Sequence, residues 1–274
     1  MKKGWKIFWI IIGSLAGFGL LLCIAAFAMG FSFGDIRKDF PYSGLKHKVE
    51  VHQKIDNSLK YQSIKELKIR ADFCEIRFVD SDEKKITVDS SRLENVKGVH
   101  IDVIEGDDSL EINVDNEHHG YHHKKGFNHK DRVLYVNIPK DYQFENVEIE
   151  LDAGRVEADT LYTDLLDIRL SAGECEIDDM VVGDVKSNIA MGRLELSGIV
   201  SRDINVDCGA GQVDIELDDE VDNYNYDVKC QAGIISIGGA QYKGVGASDH
   251  VDHGAGKNIY LDCGAGQIEI DFAD

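Results

Sequence analysis

Residues 149–159 read IELDAGRVEAD, 168–178 read IRLSAGECEID, 187–197 read SNIAMGRLELS and 206–216 read VDCGAGQVDIE. Aligned on Gly154, Gly173, Gly192 and Gly211, these segments recur every 19 residues. Two further copies follow, VKCQAGIISIG on Gly233 and LDCGAGQIEID on Gly266, after spacings of 22 and 33. An earlier, degenerate copy, LKIRADFCEIR, places Asp72 where the others carry Gly. Self-similarity at a fixed period of this length is the mark of a repeat architecture.

Alternation inside each copy gives the local geometry. Three residues before the Gly stand Leu151, Leu170, Ile189, Cys208, Cys230 and Cys263. Two residues after it stand Val156, Cys175, Leu194, Val213, Ile235 and Ile268. An apolar residue at every second position marks a strand with one buried face. The alternation slips by one at the Gly, so the chain must bend or bulge there, where Gly tolerates positive φ. A coil of 19 residues cannot bury its apolar face alone, but stacked coils share one continuous core. The sequence therefore predicts an all-β, single-stranded β-solenoid, with an antiparallel sandwich as the competing arrangement.

Composition agrees with this reading. Among 274 residues there are 27 Gly and only 2 Pro. Pro cannot donate the ladder N–H that every inner strand needs, so stacked coils exclude it. Between residues 61 and 145 the chain looks like a less regular version of the same fold. Strand-like runs occupy 67–79, 85–89, 99–104, 110–114 and 133–138, with a tight turn at Asp107-Asp108.

The first 34 residues are different. From Ile7 to Gly34 no residue is charged, and roughly 20 apolar residues suffice to span a bilayer. This predicts one transmembrane α-helix within 1–34, a juxtamembrane stalk over 35–60 and the repeat domain over 61–274. Lys2, Lys3 and Lys6 with Ala26-Phe27-Ala28 also resemble a cleaved signal peptide, but the apolar core exceeds the usual ~7–15 residues. Lys2, Lys3 and Lys6 favour keeping that end inside, but Arg37, Lys38, Lys46, Lys48 and Lys54 on the other side make the positive-inside count ambiguous. The short N-terminal tail and the acidic bulk behind it are what suggest an extracytoplasmic repeat domain.

The net charge is −20, from 30 Lys and Arg against 50 Asp and Glu. Nucleic acid is excluded as a partner, because phosphate recognition needs clustered bases. Part of the acidity is periodic. Three residues after the Gly stand Glu157, Glu176, Glu195, Asp214 and Glu269; five residues after it stand Asp159, Asp178, Glu216 and Asp271. In stacked coils equivalent residues lie about 4.8 Å apart, where like charges repel by about 1 kcal/mol even in water. This acidic outer face either binds divalent cations or a basic peptide, or is a solvated surface whose charge opposes aggregation. The Gly- and Asp-rich nonapeptide of Ca²⁺-binding β-rolls is missing from the sequence.

Histidine forms a second cluster. His118, His119, His122, His123 and His129 fall within a hydrophilic insertion, and His250 and His253 lie in the loop before the last copy. Such residues can hold a divalent metal weakly, without a fixed second shell, or simply be solvated. The cysteines outside the apolar segment all take inward positions, where they act as small apolar residues; a disulfide, notably Cys208 with Cys230, is the alternative. No phosphate-cradling loop, nucleophile elbow or C-x-x-C pair is present, so no catalytic residue and no cofactor is expected beyond a weak divalent cation.

The tract VLYVNIPKDYQFENVEIELDAGRVEAD, residues 133–159, followed by repeated AG units, resembles the bacterial putative-adhesin family of β-strand-repeat domains of unknown function. The resemblance spans roughly residues 60–272. It implies a membrane-anchored, extracytoplasmic repeat domain without established catalytic residues. The expected function is a non-enzymatic, adhesin-like structural and interaction module of the cell envelope, contacting wall components, envelope proteins or cations. Two alternatives are an accessory of envelope-stress signalling that senses cationic peptides or cations, and a carbohydrate-active β-helix enzyme.

Overall fold

The alternating segments become strands, and the strands stack. In the computed structural model the described residues are 60–61, 63–93, 96, 99–116, 132–243 and 246–273. The proposed membrane segment, most of the stalk and the His118–His129 insertion lie outside the described residues. No described helix is long and apolar enough to cross a membrane.

Among the described residues, seventeen strands make one continuous hydrogen-bonded sheet that winds around one core. They are β1 (Lys60–Tyr61), β2 (Glu66–Ser81), β3 (Ile86–Asp89), β4 (Val99–Glu105), β5 (Ser109–Asn116) and β6 (Val133–Pro139). Then come β7 (Gln143–Leu170), β8 (Glu174–Ile189), β9 (Arg193–Val200), β10 (Ile204–Cys208) and β11 (Gln212–Leu217). A 3-10 turn at Val221–Asn223 leads to β12 (Tyr224–Cys230), β13 (Ile234–Ile237), β14 (Ala240–Lys243), β15 (Ala247–Val251), β16 (Lys257–Cys263) and β17 (Gln267–Phe272). The turn expected at Asp107-Asp108 closes an antiparallel β4–β5 hairpin, with Gly106 N donating to Ser109 O at 2.8 Å.

Pairing between β7 and β8 is parallel and offset by one repeat, from Arg155 opposite Glu174 to Leu170 opposite Ile189. The inward columns are buried: Leu151, Ile189, Cys208, Cys263, Val156, Leu194, Val213, Ile235 and Ile268 are all 0% exposed. Each such aliphatic side chain contributes about 1.5–3 kcal/mol by leaving water. Polar residues between them point outward, which fixes the register, since a one-residue slip would expose the whole buried set.

Two details of the stack differ from the sequence expectation. Coils do not follow one another in chain order. The last coil, β16–β17, pairs in parallel with β10–β11 on one side and with β12–β13 on the other. The chain leaves one slot empty after β11, builds the next coil, and returns to fill the gap. At the opposite end the order is also broken, in the reverse sense: β2 comes first in sequence, and the later strands β5 and β6 flank it on one side and β7 on the other. The degenerate copy is also displaced. Cys74, and not Asp72, stands opposite Gly154, with Ala71 opposite Leu151. A shift of two residues keeps the inward face inward, so the alternation alone could not detect it.

The glycines act mainly through close approach. Of the aligned set only Gly154 has positive φ, +138°. At Gly211, by contrast, a Cβ would stand 2.5 Å from the Gly192 carbonyl oxygen, inside van der Waals contact with the adjacent coil. Antiparallel strands cover both ends of the stack: β4 on β5 and β3 on β6 at one, β15 on β12 and β14 on β13 at the other. They replace an open parallel edge, the usual template for unwanted pairing.

Candidate functional site: an acidic groove on the second side of the coil

Each coil turns at the Gly, and the strand after it, on the coil's second side, carries the periodic acids outward. Strand register sets them in one column: Arg77, Glu157, Glu176, Glu195, Asp214, Glu269 and Ser236, each opposite the next. Beside it runs Glu75, Arg155, Glu174, Arg193, Gln212, Gln267 and Ile234. On the far side Ser197, Glu216 and Asp271 are aligned. Asp159 and Asp178 belong to the earlier coils of the same side, Asp178 within the irregularity between Ile177 and Met180.

Charge along this face is not uniform. Arg77 Nε is 3.2 Å from Glu157, and Arg155 reaches Glu157 at 2.9 Å and Glu176 at 2.5 Å. Arg193 bonds Glu195 and lies 3.6 Å from Asp214. Past Arg193 the alternation of arginines stops, and Gln212 and Gln267 take its place. Gln212 Nε2 donates to Asp214 at 2.8 Å and Gln267 Nε2 to Glu269 at 3.5 Å, without neutralising either charge. The result is a groove of about 360 Å³ with six carboxylates, Asp178, Glu195, Asp214, Glu216, Glu269 and Asp271, on its walls. Ile177, Leu196 and Ile215 contribute apolar surface at its floor, and Ser197 completes the lining.

The first side of the coil is balanced by comparison. Lys68 and Arg169 both bond Glu148, and Arg70 bridges Glu111 at 2.7 Å and Glu150 at 3.1 Å. Burial tends to raise the Glu148 carboxyl, but the hydrogen bonds from Lys68 and Arg169 outweigh it and hold the group below its usual range. On the short third side Tyr162, Val181 and Ile199 are aligned, and Val181 and Ile199 are 37% and 43% exposed.

The two candidate histidines among the described residues have different partners. His250 Nδ1 lies 2.8 Å from Asp227 Oδ1, whereas His253 Nδ1 donates to the Tyr224 carbonyl at 2.8 Å and its ring stands edge-on to Tyr226. Among the described residues no group of three or more His, Cys, Asp or Glu is arranged to hold a metal ion. The five described cysteines are free and buried. Burial pushes the thiols of Cys74 and Cys175 up to about 12. Cys208 and Cys230, the alternative disulfide pair, are not on adjacent strands, because Cys263 stands between them, opposite both.

Alignment of the acids was visible in the sequence, whereas the point at which their compensation ends was not. The signal was present, in the succession Arg155, Glu174, Arg193, Gln212, Gln267. It acquires meaning only once Gln267 is known to neighbour Gln212.

Parallel strands stacked coil upon coil, with columns of like side chains on the outside, define a β-solenoid-like repeat domain. The chain belongs to the Toastrack DUF4097 family, whose model matches residues 64–241. Among solved structures it is similar to a "putative cell adhesion protein" from Clostridium sporogenes, with 16% identity over 77% of this chain and 94% of that one, and a TM-score of 0.41. It is also similar to a "putative adhesin" from Bacteroides fragilis, with 12% identity over 77% of this chain and 94% of that one, and a TM-score of 0.33. No curated protein matches the sequence.

Proposed function

We propose that this domain is a non-enzymatic, adhesin-like interaction module of the bacterial cell envelope, held at the membrane by the apolar segment 7–34. Its acidic groove is the contact surface, and the partner class is cationic: basic groups of wall components and envelope proteins, or divalent ions held loosely by the carboxylates rather than in a coordination site. The observation that carries this reading is the loss of arginine compensation after Arg193, which leaves Glu216, Glu269 and Asp271 without an ion pair among the described residues. Aligned carboxylates at strand spacing repel one another, and a bound cation relieves that repulsion. A rigid stack supports such a surface well, since strand register fixes every carboxylate.

The test has two arms. Melting the purified protein with and without millimolar Ca²⁺, or with a short polylysine, measures cation binding. A raised midpoint that disappears in Asp214→Asn/Glu269→Gln supports the groove as the contact surface, and an unchanged midpoint with both ligands sinks it. Protease added to intact cells tests display. Cleavage of the repeat domain places it outside, and protection until lysis overturns the envelope reading.

A further inference from the structure

We propose that Cys263 is the centre of a disulfide staple that fixes the last coil into the stack, formed with either Cys208 or Cys230. The inference is independent of the acidic groove and rests on where the returning coil inserts. Cys208, Cys263 and Cys230 are directly opposite one another on β10, β16 and β12, three adjacent parallel strands. Neighbouring strands are about 4.8 Å apart, within the ~4.4–6.8 Å separation of Cα atoms that a disulfide bridges.

The sulfurs share the lean of the whole inward column, in which Leu151 and Ile189 likewise reach the glycine of the next coil. A Cβ placed on Gly266 would meet Cys208 Sγ at 2.8 Å, and one on Gly233 would meet Cys263 Sγ at 2.5 Å. Each sulfur therefore reaches over the neighbouring coil, into space that only glycine leaves free. Cys208 reaches toward the coil of Cys263, and Cys263 toward the coil of Cys230. Cys74 and Cys175 have no such neighbours. Cys74 stands opposite Gly154, and Cys175 opposite Val156 and Leu194.

The chemistry needs a thiol oxidant, for which a small disulfide such as oxidised glutathione serves. The Cys263 thiolate attacks one sulfur of the oxidant and releases one glutathione thiol, leaving a mixed disulfide. The thiolate of Cys208 or Cys230 then attacks the Cys263 sulfur and expels the second glutathione thiol. Two protein thiols are oxidised, one small disulfide is reduced, and the two protein protons end on the departing thiols. With three thiols in the column only one bond can form. The remaining thiolate can attack it and move it to the other side of Cys263. Burial, which pushes the Cys263 thiol up to about 11, makes the closed coil slow to react, so the bond forms as the coil docks or reopens.

The test uses the full chain carrying Cys23→Ser, refolded with oxidised glutathione or kept reduced. Thiols are counted after denaturation, and linked peptides are mapped by mass spectrometry. The expected result is loss of two of the five remaining thiols, with Cys263 linked to Cys208 or Cys230 and a higher melting midpoint for the oxidised chain. Retention of all five thiols, a bond that bypasses Cys263, or an unraised midpoint overturns the staple. Cys263→Ala must abolish the bond. Should that variant fail to fold, Cys208→Ala/Cys230→Ala, which keeps Cys263 but removes both partners, must stay fully reduced.

Discussion

The Nζ of Lys257 lies 2.6 Å from Oδ2 of Asp219, and the same ammonium donates to the Val200 carbonyl at 3.0 Å. Lys257 opens β16, and Asp219 lies in the turn before β12, so this pair locks the returning coil at its point of entry. The ammonium also sits 5.0 Å from the centre of the buried Tyr224 ring, whose hydroxyl donates to the same Val200 carbonyl. Replacing Lys257 by Met keeps the apolar stem and removes the charge. The expected cost is about 2 kcal/mol, read as a lower urea midpoint, because a partly buried carboxylate loses its partner.

The same pair sets an acid limb. Burial acts to raise the Asp219 carboxyl, but hydrogen bonds from Lys257, Asn223 and the Glu220 amide, with the Lys257 charge, hold it at about 2 against its ordinary 3.8. The folded value is the lower one, so the stabilisation is complete above about pH 3.8 and is lost as pH falls through about 2. Melting curves from pH 7 to pH 2 should show wild type above Asp219→Asn, with the gap closing only below pH 3.8. A constant gap across that range would reject the assignment.

Gly211→Ala should cost about 1–3 kcal/mol, since the added Cβ must push against the backbone of the adjacent coil. Gly256→Ala, where nothing lies within 4 Å of the added atom and φ is not positive, should change the midpoint by less than about 0.5 kcal/mol. Chemical denaturation of the two variants side by side checks the close-approach argument.

Ser187 sits inward on β8, opposite Ile168 and Val206, with its hydroxyl buried and unpartnered. Ser187→Ala should raise stability by about 1 kcal/mol, because a buried hydroxyl without a hydrogen bond opposes folding. For a domain of this size that corresponds to a melting increase of about 2–4 °C, measurable by calorimetry.

Glu269→Gln should raise the melting midpoint at low ionic strength by the equivalent of about 1 kcal/mol, through relief of repulsion from Asp214. The difference should fade near 1 M salt, where the Debye length falls to about 3 Å. A difference that persists unchanged at high salt would point to packing instead.

Much of this architecture could be read from the chain. Period-two alternation around Gly154, Gly173 and Gly192 was sufficient to give the strands, their inward columns and the outward alignment of Glu157, Glu176 and Glu195. The order of the later coils was not legible by the same argument. Every copy presents an equivalent edge, so β11 could accept β13 or β17 equally well on pattern alone. A finer signal existed: CGAGQ recurs at 208–212 and 263–267, and these most alike copies are the ones that touch. The residues that decide between the two orders, Lys257 with Asp219 and Asn258 with Asp203, are polar partners far apart in sequence. No local pattern announces them.

The inserted position of β17 has a mechanical meaning. Running parallel to both β11 and β13, it holds its backbone hydrogen bonds across the direction of its own axis. A pull along the chain at Phe272 therefore loads both ladders in shear, all bonds at once, where an edge strand would peel away one bond at a time. The coil inserted between β11 and β13 therefore resists being drawn out along its own strand axis.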